Sequence, residues 1–477
     1  MDGAQTLFDD FEIEGRWWLP QREGRKVPGT LRHTKDGIDL RLFSTLYLDD
    51  KTLDDKRPPV ILGESFDSRM ITLVDSEEIA GPVFEASERS RSMYATRLLF
   101  VGLHMLEPTS TLFDSASVRY TQLAGWMCPK WPSEEHTFDE HRLSELHIHM
   151  EPAPSVFVSV PSLDATVALV GSYVEPTNTY GVTTELSVRY EPFVKIIPNQ
   201  PQGLSWFNKV TRDCQNLLSL IIGQTVLPLH ISLIAHGETV DDSPIPRRVE
   251  AFYGSPIFGH HDPMDASPDY LISFRDIESE IGEVMERWFA NIEERREVFD
   301  LYFGSYYSPD TYLKYQFLGQ IQALEGYLRD ERGGVFLEPE NYHSLREAIK
   351  GIVPAGASEE FRQVLMSSVG FANQYPLKKR MQAELDSWPH DLKKYVALRT
   401  NFVKTVVDNR NYFTHYGEKP KFLLEDSNLR LAFERLRIFF MVLLLKDLGM
   451  SDERIISCFA QHFRTDRIFQ WRAGWLL

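Results

Sequence analysis

The stretch Asp408-Asn409-Arg410-Asn411-Tyr412-Phe413-Thr414-His415-Tyr416-Gly417 decides how the C-terminal half of the chain is read. It has the look of the last turns of a long amphipathic helix running out into Gly417 and Pro420, neither of which continues a helix. The same residues set a guanidinium five positions ahead of an imidazole. Cleavage of RNA by its own 2'-hydroxyl needs a group that takes or gives a proton near neutral pH, which His415 does. It also needs a fixed cation against the non-bridging phosphate oxygens, and the planar fork of Arg410 suits that task. No metal and no cofactor enter this scheme. The structural alternative is an arginine capping the helix C-terminus beside a histidine with a partner of its own.

Outward from that stretch the last third of the chain reads as helices, over 311–329, 341–350, 358–369, 377–387, 391–415, 427–448 and 452–463. Short loops between them favour an antiparallel bundle. In 427–448 the residues Phe433, Leu436, Phe439, Phe440, Val442, Leu443 and Leu444 cover most of the helix circumference. A helix so apolar needs cover on nearly every side, from the bundle or from a second subunit. Residues five apart lie about 140° apart around a helix, so Arg410 and His415 do not share one face.

Charge also gathers here. Between Pro376 and Tyr416 stand eight basic residues, Lys378, Lys379, Arg380, Lys393, Lys394, Arg399, Lys404 and Arg410, against the acidic Glu384, Asp386, Asp391 and Asp408. The window carries +4 on a chain of net charge −18, which leaves −22 for the remainder. A basic strip on an acidic body would repel nucleic acid generally and admit it at one place; a solvated helix face is the bland reading.

The first two hundred residues read as strands: 11–19, 29–32, 38–43, 60–63, 70–74, 94–102, 117–125, 147–150, 156–160, 167–170, 186–190 and 193–197. So many short strands without helices between them predict a sandwich or barrel. A helix over 204–223, a strand over 226–235, a Pro/Gly/Asp-rich loop around a strand at 249–253, and a helix over 276–302 follow. The fold class expected is therefore α+β and multidomain, with a β-rich domain over 1–275 and an all-α bundle over 276–477. Within the first domain His136, His141, His147 and His149 cluster, and His260-His261 lie in a loop, but no carboxylate or cysteine pattern completes a metal site. Trp17-Trp18, Trp126 and Trp131 read as core, since adjacent residues of a strand point to opposite faces.

Composition excludes several classes. With 43% hydrophobic and 25% charged residues the chain is globular, and no run approaches a membrane span. The start, 1–10, lacks a basic region and an apolar run, and Cys128, Cys214 and Cys458 give neither a disulfide framework nor a zinc knuckle. A cytoplasmic location without membrane contact is the expectation.

Arg410-Asn411-x-x-x-His415 at the end of a helix resembles the signature of HEPN ribonucleases. The runs 317–327 (Phe-Leu-Gly-Gln-Ile-Gln-Ala-Leu-Glu-Gly-Tyr) and 372–376 (Ala-Asn-Gln-Tyr-Pro) resemble the ApeA-like branch of that superfamily. The runs 13–20 (Ile-Glu-Gly-Arg-Trp-Trp-Leu-Pro), 27–31 (Val-Pro-Gly-Thr-Leu) and 61–65 (Ile-Leu-Gly-Glu-Ser) are similar to the N-terminal domain of ApeA proteins. The resemblance implies a homodimer through the C-terminal helices, in which the motifs of two protomers line one cleft. Asn411 would orient Arg410 and His415, Tyr416 would stack on a base, and Lys393, Lys394, Arg399 and Lys404 would hold RNA. It further implies a prokaryotic anti-phage role, with tRNA or another structured RNA cut to a 2',3'-cyclic phosphate once a phage-derived trigger acts on the N-terminal domain. Two other readings stay open: a non-catalytic HEPN module for nucleotide binding or oligomerisation, and a ligand-recognising β-rich receptor with a helical stalk.

Overall fold

The computed structural model of the chain describes residues 5–47, 56–81, 92–128, 133–139, 142–179, 185–240, 243–255, 269–331, 334–354, 356–397 and 401–462. Arg399, His141, His260, His261 and Trp131 lie outside the described residues. The chain divides into two compact units, Met1–Ala290 and Asn291–Leu477.

Six antiparallel strands of the first unit close into a barrel: β1 (Phe11–Trp18), β2 (Val27–Thr34), β3 (Gly37–Leu42), β4 (Val60–Ser65), β5 (Met70–Ala80) and β6 (Ser92–Val101). Alternation makes the wall: Ile13, Gly15 and Trp17 of β1 face inward, while Glu12, Glu14 and Arg16 face water. Trp17 and Trp18 are both buried, and the Trp17 Nε1–H donates to Gly29 O at 3.2 Å. Gly63 of β4 lies so close that a Cβ there would stand 2.3 Å from the Trp17 ring, which only glycine permits. Closure comes from β5 pairing with β6, Ile71 opposite Val101 and Leu73 opposite Leu99.

The other edge of β6 is shared. Its first half, Ser92 to Thr96, pairs with β3 to complete the barrel, while Leu99 to Val101 pair with the strand Pro246–Phe252. From there the sheet leaves the barrel through the strands Pro228–Thr239, Leu112–Tyr120, Phe193–Pro198, Ala165–Val170 and Ser155–Val160. The helix Leu204–Ile222 buries Phe207, Val210, Cys214, Leu217, Leu218 and Ile221, as its three-and-four spacing predicts. It is tied to the extension by Tyr120, whose hydroxyl donates to Thr211 O at 2.8 Å. Two small hairpins, Ser133–Asp139 with Arg142–His149 and Tyr173–Thr179 with Glu185–Tyr190, stand apart from the main sheet. In the first of them His136 meets Glu134 at 3.2 Å and His147 meets Glu145 at 3.4 Å. Among the described residues no three His, Cys, Asp or Glu side chains group as metal ligands would.

The expected helices appear with two corrections. The stretch 276–302 is broken into Phe274–Ile277 and Ile281–Ile292, which lie in the first unit except for the last two residues of the latter, and Arg296–Tyr307, which lies in the second; 391–415 is broken into His390–Lys393 and Phe402–His415. The centre of the second unit is the helix Asp426–Asp447, where Phe440 meets Tyr302 at 4.6 Å and Tyr327 at 5.3 Å. Leu443, Leu444 and Leu445 are all at most 1% exposed in the single chain, so covering this helix requires no second subunit. At its end Asp447 accepts from Tyr327 Oη at 2.6 Å and Arg295 at 2.8 Å. Two arginines are buried in it. Arg437 pairs with Glu434 at 3.0 Å, whereas burial draws the pKa of Arg435 down to about 10. Against this core the helix Leu313–Glu331 packs, with Phe317 edge-on to Phe413 of the motif helix at 5.9 Å.

The hairpin of Pro339–Ile352 and Glu359–Phe371 contributes no buried residue. No helix among the described residues is long and apolar enough to cross a membrane.

Candidate active site

The helix Phe402–His415 carries Arg410, Asn411 and His415 in its last two turns. It ends at Tyr416, which takes left-handed backbone angles (φ 50°, ψ 33°) while its N–H returns to Tyr412 O at 2.7 Å. That conformation costs a residue with a Cβ about 1–2 kcal/mol, which is why glycine usually fills it. Here the glycine stands one place later, at Gly417, and the helix ends at His415, as expected. Tyr416 is 72% exposed, its ring edge-on to Tyr412 at 5.9 Å.

Asn409 fixes what comes after the turn. It is fully buried, its Nδ2 donates to Thr405 O at 2.9 Å and Phe422 O at 2.7 Å, and its Oδ1 accepts from Leu424 N–H at 2.8 Å. The loop from Gly417 is thereby folded back along the motif helix. It brings Lys419 and Lys421 to the rim of a depression of about 470 Å³, beside Lys404, Asn411, Tyr412 and His415. Asn409→Leu leaves the Leu424 N–H buried and unpaired and takes a donor from the half-buried Phe422 carbonyl. It is expected to lower the unfolding free energy by roughly 2–4 kcal/mol in urea titration. An unchanged midpoint would mean that the clamp is dispensable.

Arg410 points elsewhere. Its Nη2 donates to Glu325 Oε2 at 2.7 Å, and its Nη1 to Asn411 Oδ1 at 3.1 Å. Glu325 belongs to the helix Leu313–Glu331 and also faces Arg329 at 3.5 Å. Among the described residues two of the five guanidinium N–H donors are thus engaged. Asn411 joins the two sides, since it accepts from Arg410 and lines the depression that holds His415. The imidazole itself is exposed and makes no hydrogen bond among the described residues.

The cations expected to hold RNA are dispersed. Lys404 pairs with Asp408 at 2.9 Å on the wall of the His415 depression. Lys393 faces Asp386 at 3.8 Å, and Lys394 faces Asp391 at 3.3 Å. Arg380 is buried, and Lys379 lies over the Tyr375 ring at 3.5 Å. Hence the seven of the eight that are described make no single open stripe. The sequence reading missed Glu325 as the partner of Arg410, the clamp at Asn409, and the two lysines just past the motif. A count of charges continued to Lys421 would have found the last of these.

With that geometry in hand, comparison with known proteins gives two matches. A family model described as ApeA N-terminal domain 1 matches residues 12–288, more than half of the chain. A second, described as Apea-like HEPN, matches residues 318–454 and so includes Glu325, Asn409, Arg410, Asn411 and His415. No curated protein matches the chain, and no solved structure does.

Proposed function

Because the chain belongs to the ApeA family, with an ApeA-like HEPN domain after the N-terminal domain, we propose that it is a metal-independent endoribonuclease of prokaryotic anti-phage defence. The observation that carries this reading is an exposed imidazole and a half-buried guanidinium on one helix end, with Asn411 accepting from Arg410 and lining the depression that holds His415. The 2'-hydroxyl loses its proton to an imidazole, its oxygen bonds to phosphorus, and the P–O5' bond breaks as the leaving oxygen takes a proton. A 2',3'-cyclic phosphate and a 5'-hydroxyl remain. The N–H groups of Arg410 hold the non-bridging oxygens as charge gathers on them, with Lys419 and Lys421 steering the strand into place.

His415 and Arg410 face different sides of the helix end, so a homodimer that sets two motifs in one cleft makes the site complete. tRNA or another structured RNA with an exposed loop suits such a cleft. In this reading the protein acts in the cytoplasm, and its N-terminal unit receives a phage-derived cue.

A second reading deserves its own test, because the 2.7 Å pair between Arg410 and Glu325 would also suit a purely structural arginine in a non-catalytic nucleotide-binding or oligomerisation module. Incubation of the purified full chain with total tRNA separates the two. Discrete fragments are expected, whereas intact RNA at micromolar protein, with the trigger's absence controlled by using infected-cell extract, would favour the non-catalytic module.

A further inference from the structure

The segments 317–327 and 372–376 contain neither Arg410 nor His415, yet they meet in space beside Arg410. Glu325 and Arg329 of the first segment's helix, with Phe336, Phe371, Tyr375 and Arg380, line a second depression of about 600 Å³. Its floor is built rather than accidental. Val335 pairs with Gln374 as an antiparallel bridge, Phe336 N–H donates to Asn373 O at 2.9 Å, and Tyr375 N–H donates to Gly334 O at 2.8 Å. The buried Asn373 side chain grips both the N–H and the carbonyl of Leu337 at 2.8 Å. A Cβ on Gly334 would stand 2.3 Å from the Tyr375 ring, so the ring's seat depends on that glycine.

On this floor the aromatic rings are left in water. Phe336 is 53% and Phe371 68% exposed; Phe336 meets Tyr375 edge-on at 4.9 Å, and Lys379 Nζ lies 4.3 and 3.5 Å from those two rings. An apolar protein partner has no use for the cations, and a bare phosphate has none for the rings. Exposed rings interleaved with Lys and Arg are what a single-stranded base with its phosphate requires. The position relative to the motif is equally specific. Glu325 lines this depression and accepts from Arg410, while Asn411 lines the His415 depression and accepts from the same guanidinium. Arg410 is thus hydrogen-bonded to one lining residue of each depression.

We propose that this second depression is a nucleobase subsite, taking the unpaired base next to the phosphate held at Arg410. The base stacks on Phe371 or Phe336, and Arg329 and Lys379 meet its backbone. The inference rests on the nuclease reading for its placement, and binding tests it separately from cleavage.

Anisotropy of a fluorescein-labelled, uncleavable 2'-O-methyl oligonucleotide of single-stranded sequence is measured with the full chain. Phe371→Ala and Phe336→Ala are each expected to weaken binding about 5- to 150-fold, the range of one lost base stack. Phe371→Trp, which keeps a stacking face, should bind within about threefold of the unaltered chain. With cleavable RNA the loss should appear in KM. If binding falls in this pattern while the unaltered chain cuts no RNA, the subsite stands and the nuclease reading falls. Alanine variants that bind and cleave like the unaltered chain overturn the subsite. So do variants that bind normally but change the sedimentation coefficient, because the rings would then be a contact between copies.

Discussion

Arg410→Ala and His415→Ala are each expected to lower the rate of RNA cleavage by about 10²- to 10⁴-fold, the range for losing an oxyanion-holding donor or a general acid–base group. The two should differ in stability. His415 is exposed and without a hydrogen bond among the described residues, so its removal should leave the thermal midpoint where it is. Arg410→Ala breaks a half-buried pair and is expected to cost up to about 1 kcal/mol, because Arg329 stays near Glu325. Arg410→Lys keeps the charge and loses the fork, so it should recover stability more than activity. A purely structural arginine would reverse the pattern: Arg410→Ala would unfold the helix end and lose activity with it, while His415→Ala would be silent. Cleavage rates and melting curves on the three variants tell these apart.

The second large effect concerns two chains at once. Arg410 turns toward Glu325 while His415 lines the depression shared with Lys404, Lys419 and Lys421. If a scissile phosphate needs Arg410 from one protomer and His415 from its partner, a heterodimer of Arg410→Ala with His415→Ala keeps one of its two sites whole. Activity should then return from the floor toward half of that of the unaltered dimer, although each homodimer of variants is dead. A co-purified, doubly tagged heterodimer that stays at the floor would mean that each chain uses its own motif. Full activity of a monomer at micromolar concentration would remove the dimer from the account.

Local order was legible in the sequence wherever burial alternates or repeats. The inward Ile13 and Trp17 beside the outward Glu12 and Glu14 predict β1, and the spacing of Phe207, Val210, Cys214, Leu217 and Ile221 predicts the helix over them. What joins these pieces was not legible. The split of β6, whose two halves pair with strands far apart in sequence, turns a row of strands into a barrel with an extension, and no local pattern encodes it.

The site divides in the same manner. Arg410, Asn411 and His415 could be placed at a helix end because spacing and the following glycine mark one. Along the sequence Glu325 is only the i, i+4 neighbour of Arg329; its contact with Arg410 is made across the packing of two helices. Asn409 and Asn411 are both asparagines flanking Arg410, and only their opposite burial separates a loop clamp from a bridge between depressions. Arg380 counted toward a basic strip, yet it is buried. Net charge along a sequence does not say which cations reach water.

The chemistry proposed for Arg410 and His415 makes one product and needs no ion, so the end groups of the fragments test it most directly. Mass spectrometry of RNA cut in excess EDTA should show 2',3'-cyclic phosphates and 5'-hydroxyls, with no cut where the scissile nucleotide is 2'-O-methylated. Fragments with 5'-phosphates and 3'-hydroxyls, formed only when magnesium is restored, would contradict it and point to metal-held water in place of the 2'-hydroxyl.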